Sequence, residues 1–197
     1  MGCEVQRVFP KQTKGLALLL AAELLFVFAG RGNCQEIPQE YRMKVAYLKK
    51  IPGFVIRPEA GPQPEKGAFL ICVYEEYRLS FLLKQELRDA SIGGRKVNAS
   101  AVQKNQNLAS CQILFIGRSA EKQYARILET ANGSGTLTVG ESKGFAEAGG
   151  MIELCYEEQA LSMTINLGAA KTAQLKLDAR FVSLAKRVLR ERELTGV

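Results

Sequence analysis

Histidine is absent from this chain of 197 residues. Without an imidazole to move the proton, Ser-His-Asp and Cys-His nucleophilic catalysis are excluded, as are His-ligated zinc and haem. Aspartate occurs only at Asp89 and Asp178, so a two-Asp dyad would have to use both, far apart in sequence. No Cys-x-x-Cys pair occurs, which disfavours a thioredoxin-type site or a zinc ribbon. Neither G-x-G-x-x-G nor G-x-x-x-x-G-K-[ST] is present. The nearest approach to a phosphate loop, Gly144 to Gly150 (GFAEAGG), lacks the lysine-serine end. Its glycines suit a loop that needs positive φ or close backbone approach. No catalytic residue, metal or cofactor is expected.

What is present is ordinary globular composition, with 47% hydrophobic and 24% charged residues. The length fits one domain that buries its core without metal or disulfide staples. Arg7, Lys11 and Lys14 give a positive start, and Leu16 to Ala29 is apolar except for Glu23. That is the layout of a secretory signal peptide, and the run is shorter than the roughly 20 residues of a membrane span. We expect residues 1–29 to be a cleaved signal peptide, 30–39 a flexible start, and 40–193 one α/β domain in the periplasm. In an oxidising compartment disulfides persist. Cys34, Cys72, Cys111 and Cys155 would remain after cleavage, and spacing alone does not choose among three pairings.

Along the mature chain, Met43, Ala46, Tyr47 and Ile51 recur at helical spacing up to Pro52. Pro58 to Pro64 reads as a loop. Ala68 to Tyr74 and Cys111 to Ile116 are continuous apolar runs, the pattern of buried parallel strands. Between them, Leu79, Leu82, Leu83 and Leu87 mark a helix, and Lys96 to Val102 a strand after a Gly93-Gly94 turn. Ser119 is placed to cap a helix carrying Tyr124, Ile127, Leu128 and Ala131 on one face. Thr136 to Val139 is a short strand. Met151 to Tyr156 and Leu161 to Leu167 alternate as a hairpin. Asp178 is placed to cap a final helix with Phe181, Leu184, Ala185 and Val188 inward. The expected fold is an α/β sandwich-like single domain, its sheet mostly parallel with an antiparallel edge hairpin, flanked by helices.

Cys72 lies late in one apolar run and Cys111 at the start of another. Adjacent strands, or a strand and a loop, would bring their Cα atoms within the roughly 7 Å a bridge requires. Two buried thiols are the alternative. The charge of +7, or +6 once residues 1–29 (three basic, two acidic) are removed, suits an acidic partner surface or anionic lipid headgroups. An exported chain meets little nucleic acid, so none is expected as a partner. The acidic pairs Glu75-Glu76 and Glu157-Glu158 alternate in direction on strand ends and read as solvated turn residues.

The stretch Thr136 to Asp178 resembles the C-terminal signature of the YfiR-like family of bacterial periplasmic proteins. The matching pieces are Leu137-Thr138-Val139, Gly144-Phe145-Ala146, Gly149-Gly150-Met151-Ile152, Ile165-Asn166-Leu167 and Leu175-Lys176-Leu177. Lys44 to Leu48, Phe69 to Val73 and Cys111 to Ile116, with both cysteines, resemble its earlier elements. Arg57 departs from it, standing where many relatives have tryptophan, and Cys155 has no obvious partner except Cys34. The resemblance implies regulation without catalysis: a periplasmic protein that binds the sensor domain of an inner-membrane diguanylate cyclase and keeps cyclic-di-GMP low. An OmpA-like outer-membrane lipoprotein that sequesters it is implied as a second partner, and a homodimer is left open. Phe145, Gly149, Gly150, Met151 and Asn166 are the expected partner-contacting residues. A periplasmic small-ligand-binding module is the alternative function.

Overall fold

The computed structural model describes residues 36–57, 67–104, 106–131 and 135–190. The expected signal peptide (1–29), Cys34 and the Pro58 to Pro64 loop lie outside the described residues. The described residues from Ile37 onward belong to one compact unit.

Its elements are α1 (Gln39–Lys50) running into a 3-10 turn (Ile51–Phe54), β1 (Val55–Ile56), β2 (Phe69–Tyr74), α2 (Tyr77–Glu86), β3 (Ser91–Ile92) and β4 (Arg95–Val102). β5 (Ile113–Ile116), a 3-10 segment (Arg118–Gln123), α3 (Tyr124–Ala131) and β6 (Leu137–Gly140) follow. The chain continues through β7 (Ile152–Glu157), β8 (Ala160–Asn166), α4 (Leu167–Thr172), β9 (Lys176–Leu177), α5 (Ala179–Val182) and β10 (Arg187–Leu189). Among the described residues, eight strands form one sheet in the order β10-β8-β7-β6-β5-β2-β4-β3, and β1 pairs with β9 apart from it. The run β4-β2-β5-β6-β7 is parallel; the β7–β8 and β3–β4 hairpins are antiparallel. The mixed sheet flanked by helices matches the fold class expected from sequence.

Burial on both faces explains the continuous apolar strands. All four residues of β5 are buried. Ile71, Val73, Ile113, Phe115, Leu137 and Val139 face a core completed by α1, α2, α4 and α5. Cys72, Tyr74, Leu114 and Ile116 face the opposite way, against α3 and Phe145. The β7–β8 turn places Glu158 and Gln159 at positive φ, 50° and 62°, as a two-residue type I′ hairpin turn requires.

Three local expectations are corrected. The last helix ends after one turn: Asp178 does cap it, accepting from the Arg180 amide at 2.8 Å, but Leu184 is 64% exposed and Arg187–Leu189 is a strand. The edge of β8 supplies partners that a helix would forgo. Lys186 donates to Met163 O at 2.9 Å, and β10 then pairs in parallel with Thr164–Asn166. Ser119 is not a cap; its hydroxyl donates to the Glu75 carbonyl at 2.9 Å. In α1 the buried residues are Lys44, Val45 and Leu48, while Ala46 is exposed, so the inward face is turned from the one read off Met43, Ala46 and Tyr47.

Candidate functional site

Cys72 and Cys111 are joined, with Cα atoms 5.7 Å apart. Cys111 sits just before β5 instead of inside it, so the bridge ties the middle of β2 to the segment entering the neighbouring strand. Cys155 is free and buried.

In α/β sheets ligands bind beyond the carboxyl ends of strands, where the chain reverses its direction of progress across the sheet. Here that point lies between β2 and β5. Main chain fills it. The Gly117 amide donates to Tyr74 O at 3.0 Å, and a Cβ at Gly117 would meet Glu75 O at 3.1 Å. A polar cluster instead forms beside it, at the ends of β6 and β7 under the start of α1.

Glu141, next after β6, is 5% exposed. One carboxylate oxygen accepts from the Arg118 amide at 2.6 Å; the other pairs with the Lys44 ammonium. Lys44, 2% exposed, also pairs with Glu40 one turn earlier on α1. A buried charge is tolerated only when paired and hydrogen-bonded, and both conditions are met. Tyr41, on the same face of α1, donates to Glu76 at 3.3 Å; burial, then the Glu76 charge, raises its pKa.

On the opposite sheet face, the Cys155 thiol donates to Glu153 at 3.4 Å. Burial first, then Glu153, pushes its pKa up to about 12. It is therefore a thiol at neutral pH and a poor nucleophile. An open cleft of about 220 Å³ passes over this cluster, with Arg118, Glu121, Lys143, Tyr156 and Glu157 among its walls. Among the described residues no group of three His, Cys, Asp or Glu side chains is placed to hold a metal.

The residues expected to touch a partner are gathered in one unit, but inward. Phe145 and Met151 are fully buried and Asn166 is 1% exposed. Phe145, expected among the partner-contacting residues, has its ring inside, packed edge-on to Tyr124 with centroids 4.9 Å apart. It lies between Gly140 and Gly150, and a Cβ on either would come within 3.0 Å of three ring atoms. The following residue, Ala146, is clamped on both sides of its peptide. Its amide donates to Glu153 at 3.1 Å, and its carbonyl accepts from the Asn166 side chain at 2.8 Å. Asn166 Oδ1 also accepts from Ala169, capping α4, and Thr138 accepts from the Met151 amide. Gly149 supplies the turn, at φ +98°. These residues pin segment 142–150 to the sheet, leaving Lys143, Glu147 and Ala148 exposed.

Sequence reasoning missed Lys44, Glu141 and Arg118. The available signal was a lysine on the stripe that Tyr41, Val45 and Leu48 of α1 continue to Ile51 in the following turn.

No curated protein matches the chain. Among solved structures, a conserved domain protein from Vibrio cholerae O1 biovar El Tor str. N16961 superposes with a TM-score of 0.52 at 14% identity, over 77% of this chain and 60% of that one. The ABC domain in complex with L-Trp from Streptococcus pneumonia gives 0.52 at 10% identity, over 76% and 60%. The chain thus spans about three-fifths of each of these structures, and the likeness is one of fold. The YfiR/HmsC-like family model matches residues 41–186, from the first turn of α1 to the approach to β10. The chain belongs to the YfiR/HmsC-like family.

Proposed function

We propose that this chain is a periplasmic regulatory protein that represses an inner-membrane diguanylate cyclase by binding its periplasmic sensor domain, so lowering cyclic-di-GMP. The observation that carries the reading is the family match over residues 41–186, a family whose members regulate cyclic-di-GMP signalling from the periplasm. Residues 1–29 are the export signal in this reading. No helix among the described residues is long and apolar enough to cross a membrane.

The contact surface we assign is the charged cleft beside the clamped loop: Arg118, Glu121, Lys143 and Glu157, with the exposed side of segment 142–150. Phe145, Gly149, Gly150, Met151 and Asn166 then act as positioning residues, holding that surface rigid. A rigid surface loses little entropy on binding, and it inhibits by favouring one conformation of the sensor domain over another. An OmpA-like lipoprotein that covers the same surface would release the cyclase. The polar cluster needs no cofactor and performs no reaction in this account.

The test is cellular cyclic-di-GMP in a strain lacking the protein. Deletion should raise it, and the wild-type chain should reverse the rise. A double charge reversal, Arg118→Glu with Lys143→Glu, should fail to reverse it while accumulating to wild-type levels. An unchanged level on deletion, with a cyclase expressed, would overturn the repressor reading and favour a small ligand or another partner.

A further inference from the structure

The outward face of α2 differs from an ordinary solvated helix face. Leu79, Leu82 and Leu83 are buried against the sheet. On the far side stand Tyr77, 58% exposed, and Phe81, 61% exposed, one turn apart. Lys84 and Arg88 continue the same stripe at helical spacing, both exposed. The one acidic residue of the helix, Glu86, lies off this stripe and pairs with Lys49 at 3.6 Å. Lys96 on β4 joins the stripe: Lys84, Arg88 and Lys96 line one open groove of about 490 Å³ together with Asn98 and Ser100, and no carboxylate lines it. Among the described residues none of these three cations forms an ion pair.

We propose that this face docks on an anionic phospholipid surface. Exposed aromatic rings beside unpaired cations, on a helix anchored by its other side, match the chemistry of a membrane interface. The rings enter the headgroup boundary, and the cations meet phosphate and the net negative charge. The headgroup boundary takes apolar rings and positive charge together, which is what this one helix face presents; an acidic protein partner is the alternative that the experiment below separates. The surface lies on a different element from the charged cleft and stands whichever protein the chain regulates. It would confine a periplasmic protein to the membrane where such targets sit.

The experiment is vesicle co-sedimentation of the protein recovered from the periplasm, with its N-terminus read by mass spectrometry. Vesicles are phosphatidylcholine alone or three parts phosphatidylcholine to one of phosphatidylglycerol. Binding should require phosphatidylglycerol and be released by raised salt, because the attraction is screened. Each surface cation contributes roughly a fivefold factor in partitioning. Lys84→Gln/Arg88→Gln/Lys96→Gln should therefore lower binding on the order of a hundredfold while melting like the wild type. Phe81→Ser should weaken it several-fold and leave its salt dependence intact. Equal binding to both vesicle types, no pelleting with either, or a triple variant that binds like wild type would overturn the proposal. No pelleting, combined with loss of a periplasmic protein partner in the triple variant, would overturn it in favour of a protein interface.

Discussion

The position of Phe145 between two glycines makes a quantitative prediction. Gly150 is not at positive φ, so alanine there strains no backbone dihedral; the cost is steric and comes from one ring. The ring has little room to shift, because it also packs so closely on Gly140 that a Cβ there would come within 3.0 Å of it. Overpacking of this kind costs ~1–3 kcal/mol, and Gly150→Ala should fall at the upper end. Phe145→Ala alone should cost ~3–5 kcal/mol through the cavity it opens. With the ring gone, Gly150→Ala should be neutral or stabilising by up to ~1 kcal/mol, through reduced unfolded-state entropy. The coupling energy should then be about 3 kcal/mol. Gly149→Ala is the control. Its φ of +98° makes alanine costly, yet nothing lies within 4 Å of the added carbon. Its cost should therefore be the same with or without Phe145, within ~0.5 kcal/mol. The assay is urea unfolding of the parent, Gly150→Ala and Gly149→Ala proteins in each of the two backgrounds with the disulfide intact, read as midpoint shifts at constant slope. In thermal scans Gly150→Ala should melt roughly 5–10 °C lower, at ~2–4 °C per kcal/mol for a domain of this size. Equal costs of Gly150→Ala in both backgrounds would refute the account of the loop as packed around one ring.

Other consequences are as direct. The disulfide closes a separation of 39 residues, so the Cys72→Ser/Cys111→Ser variant should lose about 4 kcal/mol in the chain-entropy model. Native protein should resist dithiothreitol because both sulfurs are buried, and a mass shift without denaturant would contradict this. Lys44→Met should cost ~3–5 kcal/mol, because it leaves Glu141 buried without its counter-charge. Adding Glu141→Gln should recover part of that loss in the same unfolding assay. Cys155 has its pKa raised in the folded state, so folding binds the thiol proton more tightly. Stability should be full below the ordinary thiol pKa and fall as pH rises from about 9 toward 12. Cys155→Ala should flatten the part of that slope below pH 10, before tyrosines titrate, and a slope unchanged by the substitution would exclude the thiol as its source.

The sequence made the parallel core legible because buried strands leave a signal that little else produces. Phe69 to Tyr74 and Ile113 to Ile116 are apolar without alternation, and the structure buries them from both sides. Elements at the margins were less legible, since their state depends on partners far along the chain. Arg187–Leu189 has the local pattern of a helix, and only the open edge of β8 makes it a strand. The inward face of α1 was misread for a related reason. Periodicity counts apolar residues, and Lys44 is an inward residue whose burial depends on Glu141, 97 positions away.

The candidate site shows the same limit more sharply. A glycine-rich segment holding one phenylalanine reads as a loop offering its ring to solvent, because flexibility and exposure usually travel together in glycine-rich loops. Gly140 and Gly150 do the opposite work: by lacking side chains they leave a slot in which Phe145 is buried. Ala146 then lies within reach of Glu153 and Asn166, two polar residues that are affordable inside the sheet only because they complete its hydrogen bonds. The pieces that carry the family resemblance are therefore pieces of one packed unit, and their side chains explain the shape of the surface above them. Under the proposed function, partner contact falls to the exposed residues that this unit positions, Lys143 and its neighbours across the cleft. Substitutions there should change binding with little change in stability, whereas substitutions at Phe145, Gly150 or Asn166 should change both together.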